Sequence, residues 1–282
     1  MKLQFLGCGT KMKGKPNLWG NNSAFLKVQQ PGSTNMLLLD CGGKTKEVIR
    51  QTGVLSGVDQ LVLFITHGHP DHMNQAGYLI DACKKREINF GLMLSPFADS
   101  RAQVLDALER RKVKMGKIAE AKPHDVEAKM GLGLDFRLIN HHGEAIQSTA
   151  LVMKKHTIRD CCKTIYATDH NDERFIKEVI QDNQLEMLYT DCTEKDGKGN
   201  GSHLPFSRLC ELVPDRDTRR KICLMHMTAG LPELGRRHGF LTADEMIIDP
   251  VLYKEKIRNY HHARLRNGSD LYDEKEDDFG YC

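Results

Sequence analysis

Short apolar runs alternate with segments of helical periodicity along most of the chain. Runs of four to eight β-branched, aromatic or leucine residues bounded by turn residues predict strands, and apolar positions spaced by three or four predict helices. The predicted strands are residues 1–7, 23–29, 35–41, 61–66, 91–96, 134–140, 148–155, 162–168, 185–190 and 221–227. The predicted helices are residues 44–52, 73–86, 98–112, 172–182, 205–213 and 250–263.

The order of these elements predicts an α/β protein. Residues 61–66, Leu-Val-Leu-Phe-Ile-Thr, are apolar without alternation, which is typical of a strand covered on both faces. The sequence contains no internal repeat and no low-complexity linker, so we expect one domain over residues 1–282. The acidic tail, about 268–282, is expected to be solvated and flexible.

Composition narrows the class of protein. The 282 residues include 41 Lys and Arg against 38 Asp and Glu, a formal net charge of +3, with 40% hydrophobic residues. This small charge argues against a protein that coats nucleic acid, and no apolar run reaches the ~18 residues of a membrane span. The nine cysteines form no CxxC pair, and the first ten residues do not resemble a secretory signal. We therefore expect a cytoplasmic protein with reduced thiols.

The strongest chemical signal is the segment Thr-His-Gly-His-Pro-Asp-His at 66–72, directly after the predicted strand 61–66. Three histidines and a carboxylate in one loop would be costly to desolvate without a common partner. A metal ion supplies that partner, because imidazole and carboxylate ligands suit Zn²⁺, Mn²⁺, Fe or Co. Asp71 and His72, displaced around the bend from His67 and His69, are placed to serve a second ion ~3.5–4 Å away.

This segment matches the HxHxDH signature in full, and the chain resembles the metallo-β-lactamase fold superfamily. Later motifs recur in the order of that superfamily, each at a strand end: Asn-His-His-Gly at 140–143, Ile-Tyr-Ala-Thr-Asp at 165–169 and Leu-Met-His at 224–226. The resemblance covers most of the chain. It implies a four-layer αβ/βα sandwich with the metal ions in a cleft at the strand ends.

The resemblance also implies the ligands of two divalent ions, with Zn²⁺ expected and Mn²⁺ or Fe acceptable. One ion would be held by His67, His69 and His141, the other by Asp71, His72 and His226, with Asp169 bridging both. His142 is the alternative to His141. We favour His141 because superfamily members with an Asn-His-x-Gly motif use the histidine after Asn, and the other histidine would then act as a nearby hydrogen-bond donor.

Two further features resemble the ribonuclease Z-like branch of the superfamily. One is the N-terminal half, with Leu-Gly-Cys-Gly-Thr at 6–10 and Leu-Asp-Cys-Gly-Gly at 39–43. The other is Asp191 at a strand end with His203 near the start of the next helix. In that branch an acidic residue pairs with a histidine that protonates the leaving oxygen. The local order Ser-His-Leu differs from the usual His-Ser-Thr, which leaves the alignment of His203 open by one position, and a plain surface histidine is the alternative.

The branch implies hydrolysis of a nucleotide phosphodiester by a metal-activated hydroxide, with Asp71 as an acceptor for the proton of the water, His203 as proton donor and Asp191 holding that histidine. It includes tRNA 3′-processing endonucleases and phosphodiesterases of cyclic nucleotides, among them phage enzymes of the anti-Pycsar type. The tRNA enzymes carry a basic arm rich in Gly-Pro. Residues 84–135 contain basic clusters at 84–86 and 110–112 but no Gly-Pro motif, which favours a small cyclic nucleotide over structured RNA.

Three other functions remain as alternatives: a tRNA 3′ endonuclease, an ester or thioester hydrolase, and a non-catalytic binding module. The complete ligand set argues against the last, because degenerate members lose ligands first. No membrane partner is expected. Homodimerisation is common in the branch, so a homodimer is expected from the resemblance alone.

Overall fold

The computed structural model describes residues 1–9, 21–114, 118–141, 146–156, 160–194, 203–228, 230–249 and 253, with only the backbone described at 141 and 146. The strands are β1 Gln4–Gly7, β2 Ser23–Gln30, β3 Ser33–Leu39, β4 Gln60–Phe64, β5 Asn89–Met93, β6 Ala119–Glu120, β7 Gly133–His141, β8 Ile146–His156, β9 Cys161–Tyr166, β10 Leu185–Asp191, β11 Ile222–Met225 and β12 Leu241–Thr242. The helices are α1 Thr45–Thr52, α2 Pro70–Met73, α3 Ala76–Lys85, α4 Ala98–Arg110, α5 Pro123–Met130, α6 Glu173–Ile180, α7 Phe206–Leu212, α8 Arg216–Arg219 and α9 Leu231–Arg237, followed by a 3₁₀ turn at Ala243–Met246.

The strands form two six-stranded sheets with the same internal arrangement. The first has the order β1-β2-β3-β4-β5-β6 and the second the order β12-β11-β10-β9-β8-β7. In each sheet the first three strands in sequence are antiparallel to one another and the last three continue in parallel. The parallel strands therefore end at the same edge of their sheet, and the loops that follow them collect there.

The core explains why the central strands have no polar face. In β4, Phe64 belongs to the cluster between the two sheets, whereas Leu63 belongs to the cluster under α3 and α4. On the far side, α6 packs against β10 and α7 packs against α6, with Ile176 and Leu209 in the same apolar cluster as the strands of the second sheet. The layers are thus helix, sheet, sheet and helix, as expected, and the uninterrupted apolar run of β4 is buried on both faces.

The observed helices differ from the predicted ones at α2 and at three further short helices. The predicted helix 73–86 is preceded by the short helix α2, because Pro70 starts a turn at the first helical position and Gln75 then binds the carbonyl of Cys41. Helices α5, α8 and α9 were not predicted: α5 and α9 are each about two turns long with a proline in the first turn, and α8 is a single turn. The predicted helix 250–263, apart from Tyr253, and the acidic tail lie outside the described residues. Among the described helices, none combines the length and the apolar character needed to cross a bilayer.

Candidate metal centre

The loop 66–72 leaves β4 at the sheet edge and is anchored at both ends. The backbone N–H and the hydroxyl of Thr66 donate to the Asp40 carboxylate, at 2.9 and 3.0 Å. Gly68 passes so close to α4 that a Cβ would lie 2.9 Å from the carbonyl oxygen of Gln103. Pro70 then begins α2, whose single turn carries Asp71 and His72 back toward the cleft. The motif therefore folds as a short extended segment followed by one helical turn.

Asp169 lies at the centre of the cleft, and its two carboxylate oxygens face different histidines. Oδ2 is 3.6 Å from Nε2 of His67. Oδ1 is 3.3 Å from Nε2 of His72 and 3.4 Å from Nδ1 of His226. His226 is also hydrogen-bonded through Nε2 to Asp71, at 3.2 Å. The carboxylate therefore faces both groups of histidines, and Asp169 could contribute a ligand to a cation held by either group.

Two groups of described side chains that could hold a metal ion include members of the two expected ligand sets. In each group the nitrogen and oxygen atoms lie within 4.8 Å of one another; the groups are His67, His69 and Asp169, and Asp71, His72, Asp169 and His226. His141 is the last residue of β7, but its side chain and the whole of His142 lie outside the described residues. The choice between these two histidines therefore stays a prediction.

The chemistry of these residues fits a divalent metal. Nε2 of His72 and Nδ1 of His226 are buried and accept or donate no hydrogen bond within the described part of the chain. Burial of a ring nitrogen beside a carboxylate without a hydrogen bond is costly, and a cation between them would satisfy both. Two other features of the electrostatics point the same way.

The first feature is the neutral state of two histidines. Burial lowers the pKa of His67, and burial together with the neighbouring His67 lowers the pKa of His69 to about 4. Both rings are therefore uncharged at neutral pH, which is the form that binds metal. The second feature is that the surroundings of His72 favour positive charge. Burial opposes the protonation of His72, but the charges and hydrogen bonds of Asp169 and Asp40 together outweigh burial and raise the pKa of His72.

Asp40, directly after β3, orients two of the histidines from behind. Its Oδ2 is 2.8 Å from Nδ1 of His72. Because the carboxylate oxygen accepts this hydrogen bond, Nδ1 carries a proton, and Nε2 is the nitrogen that would bind a metal in the cleft. The hydroxyl of Thr66 donates to Asp40 and lies 3.1 Å from Nδ1 of His67, which fixes His67 in the same tautomer. Sequence reasoning treated Asp40 only as part of a glycine-containing motif and missed this role.

Backbone conformation at the cleft is also unusual. Asp40, Asp169 and His226 have φ angles of 58°, 53° and 54°. For residues with a Cβ this left-handed region costs about 1–2 kcal/mol each. All three follow a strand and turn a polar side chain into the cleft, where glycine would be cheaper but could not ligate or accept a hydrogen bond. Strain collected at one place in this way is typical of a functional site.

Gly42 brings two parts of the cleft together. A Cβ at this position would overlap the carbonyl oxygen of Asp71. The contact is fixed by two backbone hydrogen bonds, from Cys41 N to His72 O at 2.6 Å and from Gln75 N to Cys41 O at 3.1 Å. The absence of a side chain at residue 42 therefore lets α2 lie against the loop after β3.

His203 and Asp191 form a pair at the edge of the centre. Nδ1 of His203 is 2.5 Å from Oδ2 of the buried Asp191, which ends β10. The ring of His203 lies 5.3 Å from that of His226, centroid to centroid. Burial lowers the pKa of His203, but the hydrogen bond and charge of Asp191 outweigh it and raise the pKa to about 9.

Backbone contacts of His170 hold this pair. Its N–H donates to Oδ1 of Asp191 at 3.4 Å, and its carbonyl accepts from Leu204 N at 3.0 Å, next to His203. Its ring is buried against Thr190 Oγ1, at 2.8 Å. Sequence reasoning assigned His170 no role; its position directly after Asp169 was the signal available.

No protein-family model matches this sequence, and the search of curated proteins gives no significant match. Solved structures do match. YhfI from Bacillus subtilis, a metallo-β-lactamase fold protein, aligns with a TM-score of 0.57 and 14% identity over 85% of this chain and 93% of that chain. This chain has the metallo-β-lactamase fold. A long-form RNase Z from yeast aligns with a TM-score of 0.55 and 14% identity over 80% of this chain. This chain spans only 37% of the length of that RNase Z.

Proposed function

We propose that this metallo-β-lactamase-fold chain is a dinuclear metal-dependent phosphodiesterase that hydrolyses a nucleotide phosphodiester, with a small cyclic nucleotide as its substrate. The observation that carries the proposal is the pair of His203 and Asp191. Its nitrogen and oxygen atoms lie within 4.8 Å of those of Asp169 and His226, so a proton donor stands beside the ligand cluster. An alkoxide is a poor leaving group unless it is protonated, and phosphodiesters release alkoxides.

Two divalent cations in this cleft would supply Lewis-acid activation of water and would offset the charge on the phosphoryl oxygens. His67, His69, Asp71, His72, Asp169 and His226 would hold them, with His141 or His142 as a further ligand. The role of the remaining groups follows from their hydrogen bonds. Since Nδ1 of His203 is engaged by Asp191, the proton to be transferred is on Nε2.

Hydrolysis of the phosphodiester would proceed as an in-line displacement at phosphorus. A bond forms between the oxygen of the attacking water and phosphorus while the bond from phosphorus to the leaving oxygen breaks. Asp71 accepts the proton of the water: burial opposes its ionisation, but the hydrogen bond from His226 and the charges of His72 and His226 together outweigh burial and lower the pKa of Asp71. His203 gives its proton to the leaving oxygen, and Asp191 stabilises the imidazolium before transfer.

The basic clusters support a small substrate. Arg110 is paired with Asp106 on its own helix at 2.8 Å, and Arg111 donates to the carbonyl of Ala107 at 3.0 Å. Residues 84–86 are exposed at the carboxyl end of α3, where positive charge is favourable for the helix itself. These cations have local partners or local causes, and a polyanion is not needed to explain them.

The test is hydrolysis by purified protein loaded with Zn²⁺ or Mn²⁺. We expect metal-dependent turnover of bis(p-nitrophenyl) phosphate and of at least one 3′,5′-cyclic nucleotide, and loss of both after chelation. Turnover of neither phosphodiester by metal-loaded protein would overturn the proposal. Hydrolysis of a thioester or carboxylic ester in the same assay would place the activity on acyl substrates instead.

The second candidate is a tRNA 3′ endonuclease, favoured by the structural similarity to the RNase Z from yeast. A precursor tRNA with a 3′ trailer distinguishes the two. Accurate removal of the trailer at rates above those for cyclic nucleotides would support the endonuclease.

A further inference from the structure

Asp40, which orients His72, receives hydrogen bonds from both sheets. Tyr166, the last residue of β9, donates its hydroxyl to Oδ2 of Asp40 at 3.2 Å. Asn22, just before β2, donates its side-chain N–H to the same hydroxyl at 2.6 Å. Asn22 thus donates to Tyr166 and Tyr166 donates to Asp40, whose Oδ2 also accepts from His72.

Packing alone does not explain the polar atoms of Asn22 and Tyr166. Tyr166 and Asn22 are both completely buried, where an unmade hydrogen bond costs more than an apolar replacement. Oδ1 of Asn22 has no hydrogen-bond partner within the described residues. The hydrogen bond from the Asn22 side-chain N–H to Tyr166 therefore accounts for the buried asparagine. A phenylalanine at 166 would fill the same space and would need no such donor.

The position of Tyr166 links it to both sides of the metal centre. It ends β9, three residues before Asp169, and the loop that follows it brings the central carboxylate into the cleft, while Asp40 holds the loop after β4 through Thr66. Oδ2 of Asp40 accepts from His72 and from Tyr166 at the same time. Without the phenol, Oδ2 would lose one of the donors that hold it beside the imidazole, and the Thr66 hydroxyl, shared between the two carboxylate oxygens, would be left to position it with His72.

We propose that Tyr166 is a positioning residue for the metal centre: its hydroxyl, itself held by Asn22, fixes the Asp40 carboxylate that presents His72 for metal binding. The inference rests on the metal site of the proposed function but not on the identity of its substrate. It predicts that metal binding weakens when the buried hydroxyl of Tyr166 is removed, although Asp40 lies between that hydroxyl and the metal ligand His72.

Tyr189 provides a matched control. It is the residue of β10 that lies directly beside Tyr166 in the sheet and is equally buried. Its hydroxyl also makes a hydrogen bond, accepting from the backbone N–H of Leu3 at 2.9 Å, but Leu3 is not part of the cleft. Tyr166→Phe and Tyr189→Phe therefore remove the same atom from neighbouring strands, and only one of them touches Asp40.

The experiment measures Zn²⁺ affinity of the full chain by competition with a chromophoric chelator, together with the visible absorption of the Co²⁺-loaded protein. We expect Tyr166→Phe to weaken Zn²⁺ binding about 10-fold and to alter the Co²⁺ spectrum, as is typical when a partner behind a metal ligand is lost. Tyr189→Phe should change affinity by less than about twofold. Asn22→Ala, which leaves the tyrosine in place, should weaken binding in the same direction.

A double-mutant cycle separates positioning from general destabilisation. If Tyr166 acts through Asp40, adding Tyr166→Phe to Asp40→Asn should cause little further loss of affinity, whereas independent effects would add. Unchanged affinity in both Tyr166→Phe and Asn22→Ala, or full additivity in the cycle, would overturn the inference. A wild-type protein that takes up no metal would instead refute the proposed function.

Discussion

The substitution Asp191→Asn tests the proton donor most directly. It removes the negative charge beside His203 and keeps the size of the side chain. In the wild-type protein the 2.5 Å hydrogen bond to Oδ2 of Asp191 and its charge raise the pKa of His203 to about 9 against the effect of burial. Without them, burial acts on His203 with only the weaker influence of Asp169 to oppose it. We therefore expect the pKa to fall to its ordinary value of 6.5 or lower.

The magnitude follows from the fraction of protonated His203. At pH 8 a group with a pKa of about 9 is about nine-tenths protonated, and a group with a pKa of 6.5 is about 3% protonated, so the rate should fall about 30-fold. At pH 6 both forms are mostly protonated, and the expected loss is below about twofold. Since the pKa is raised, His203 of the wild type keeps its proton below that value and loses it as the pH rises through it, which sets the alkaline limb of the activity.

The assay compares two leaving groups over a range of pH. A 3′,5′-cyclic nucleotide releases a ribose alkoxide, which needs the proton of His203. Bis(p-nitrophenyl) phosphate releases a stable aryloxide, which does not. Asp191→Asn should therefore move the alkaline limb of kcat to lower pH for the cyclic nucleotide, while the profile for the aryl ester changes little.

Asp182→Asn is the matched control, since Asp182 pairs with Lys163 at 2.7 Å just before β10, at the other end of that strand from Asp191. It should leave both pH profiles unchanged. The assignment of His203 as proton donor is refuted if Asp191→Asn keeps the wild-type alkaline limb. It is equally refuted if both substrates lose the same factor at every pH.

Three further predictions concern assembly of the site and the core. Gly42→Ala should lower the free energy of unfolding by about 1–3 kcal/mol and weaken metal binding, because its methyl group would overlap the Asp71 carbonyl. A melting curve would show the first effect and a metal titration the second, and unchanged values in both would contradict the close approach. Phe64→Ala should cost about 3–5 kcal/mol in denaturant unfolding, since the ring is buried between the sheets 5.7 Å from Phe136. Metal at 100 times its Kd should stabilise the protein by about 2.7 kcal/mol, so chelation should lower the melting temperature. In His226→Ala the melting temperatures of the metal-loaded and the chelated protein should differ by less than in the wild type.

The order of elements was predictable because local patterns decide it. The apolar runs that become β3, β4, β9 and β10 were located within a few residues of their observed bounds. The segment 66–72 carried its own signal, since four metal-binding side chains in one loop have no other economical explanation. The resemblance supplied the later motifs, and the structure places Asp169, His226, Asp191 and His203 close together.

Helix ends and short helices were less predictable. Helices α5 and α9 are too short for periodicity to be decisive, and the separation of α2 from α3 depends on a hydrogen bond to Cys41. That bond exists only because β3 and β4 are neighbours in the sheet.

Tertiary structure alone decided what stands behind the ligands. Asp40, Tyr166 and Asn22 are separated by up to 144 residues and come from different sheets. A single aspartate after an apolar strand, or a tyrosine within one, has no distinctive local pattern. Their roles arise from strand order and from the facing of two sheets, which place the three side chains within hydrogen-bonding distance. Sequence determines which groups can bind a metal, and the packed fold determines which nitrogen of each histidine is offered to it.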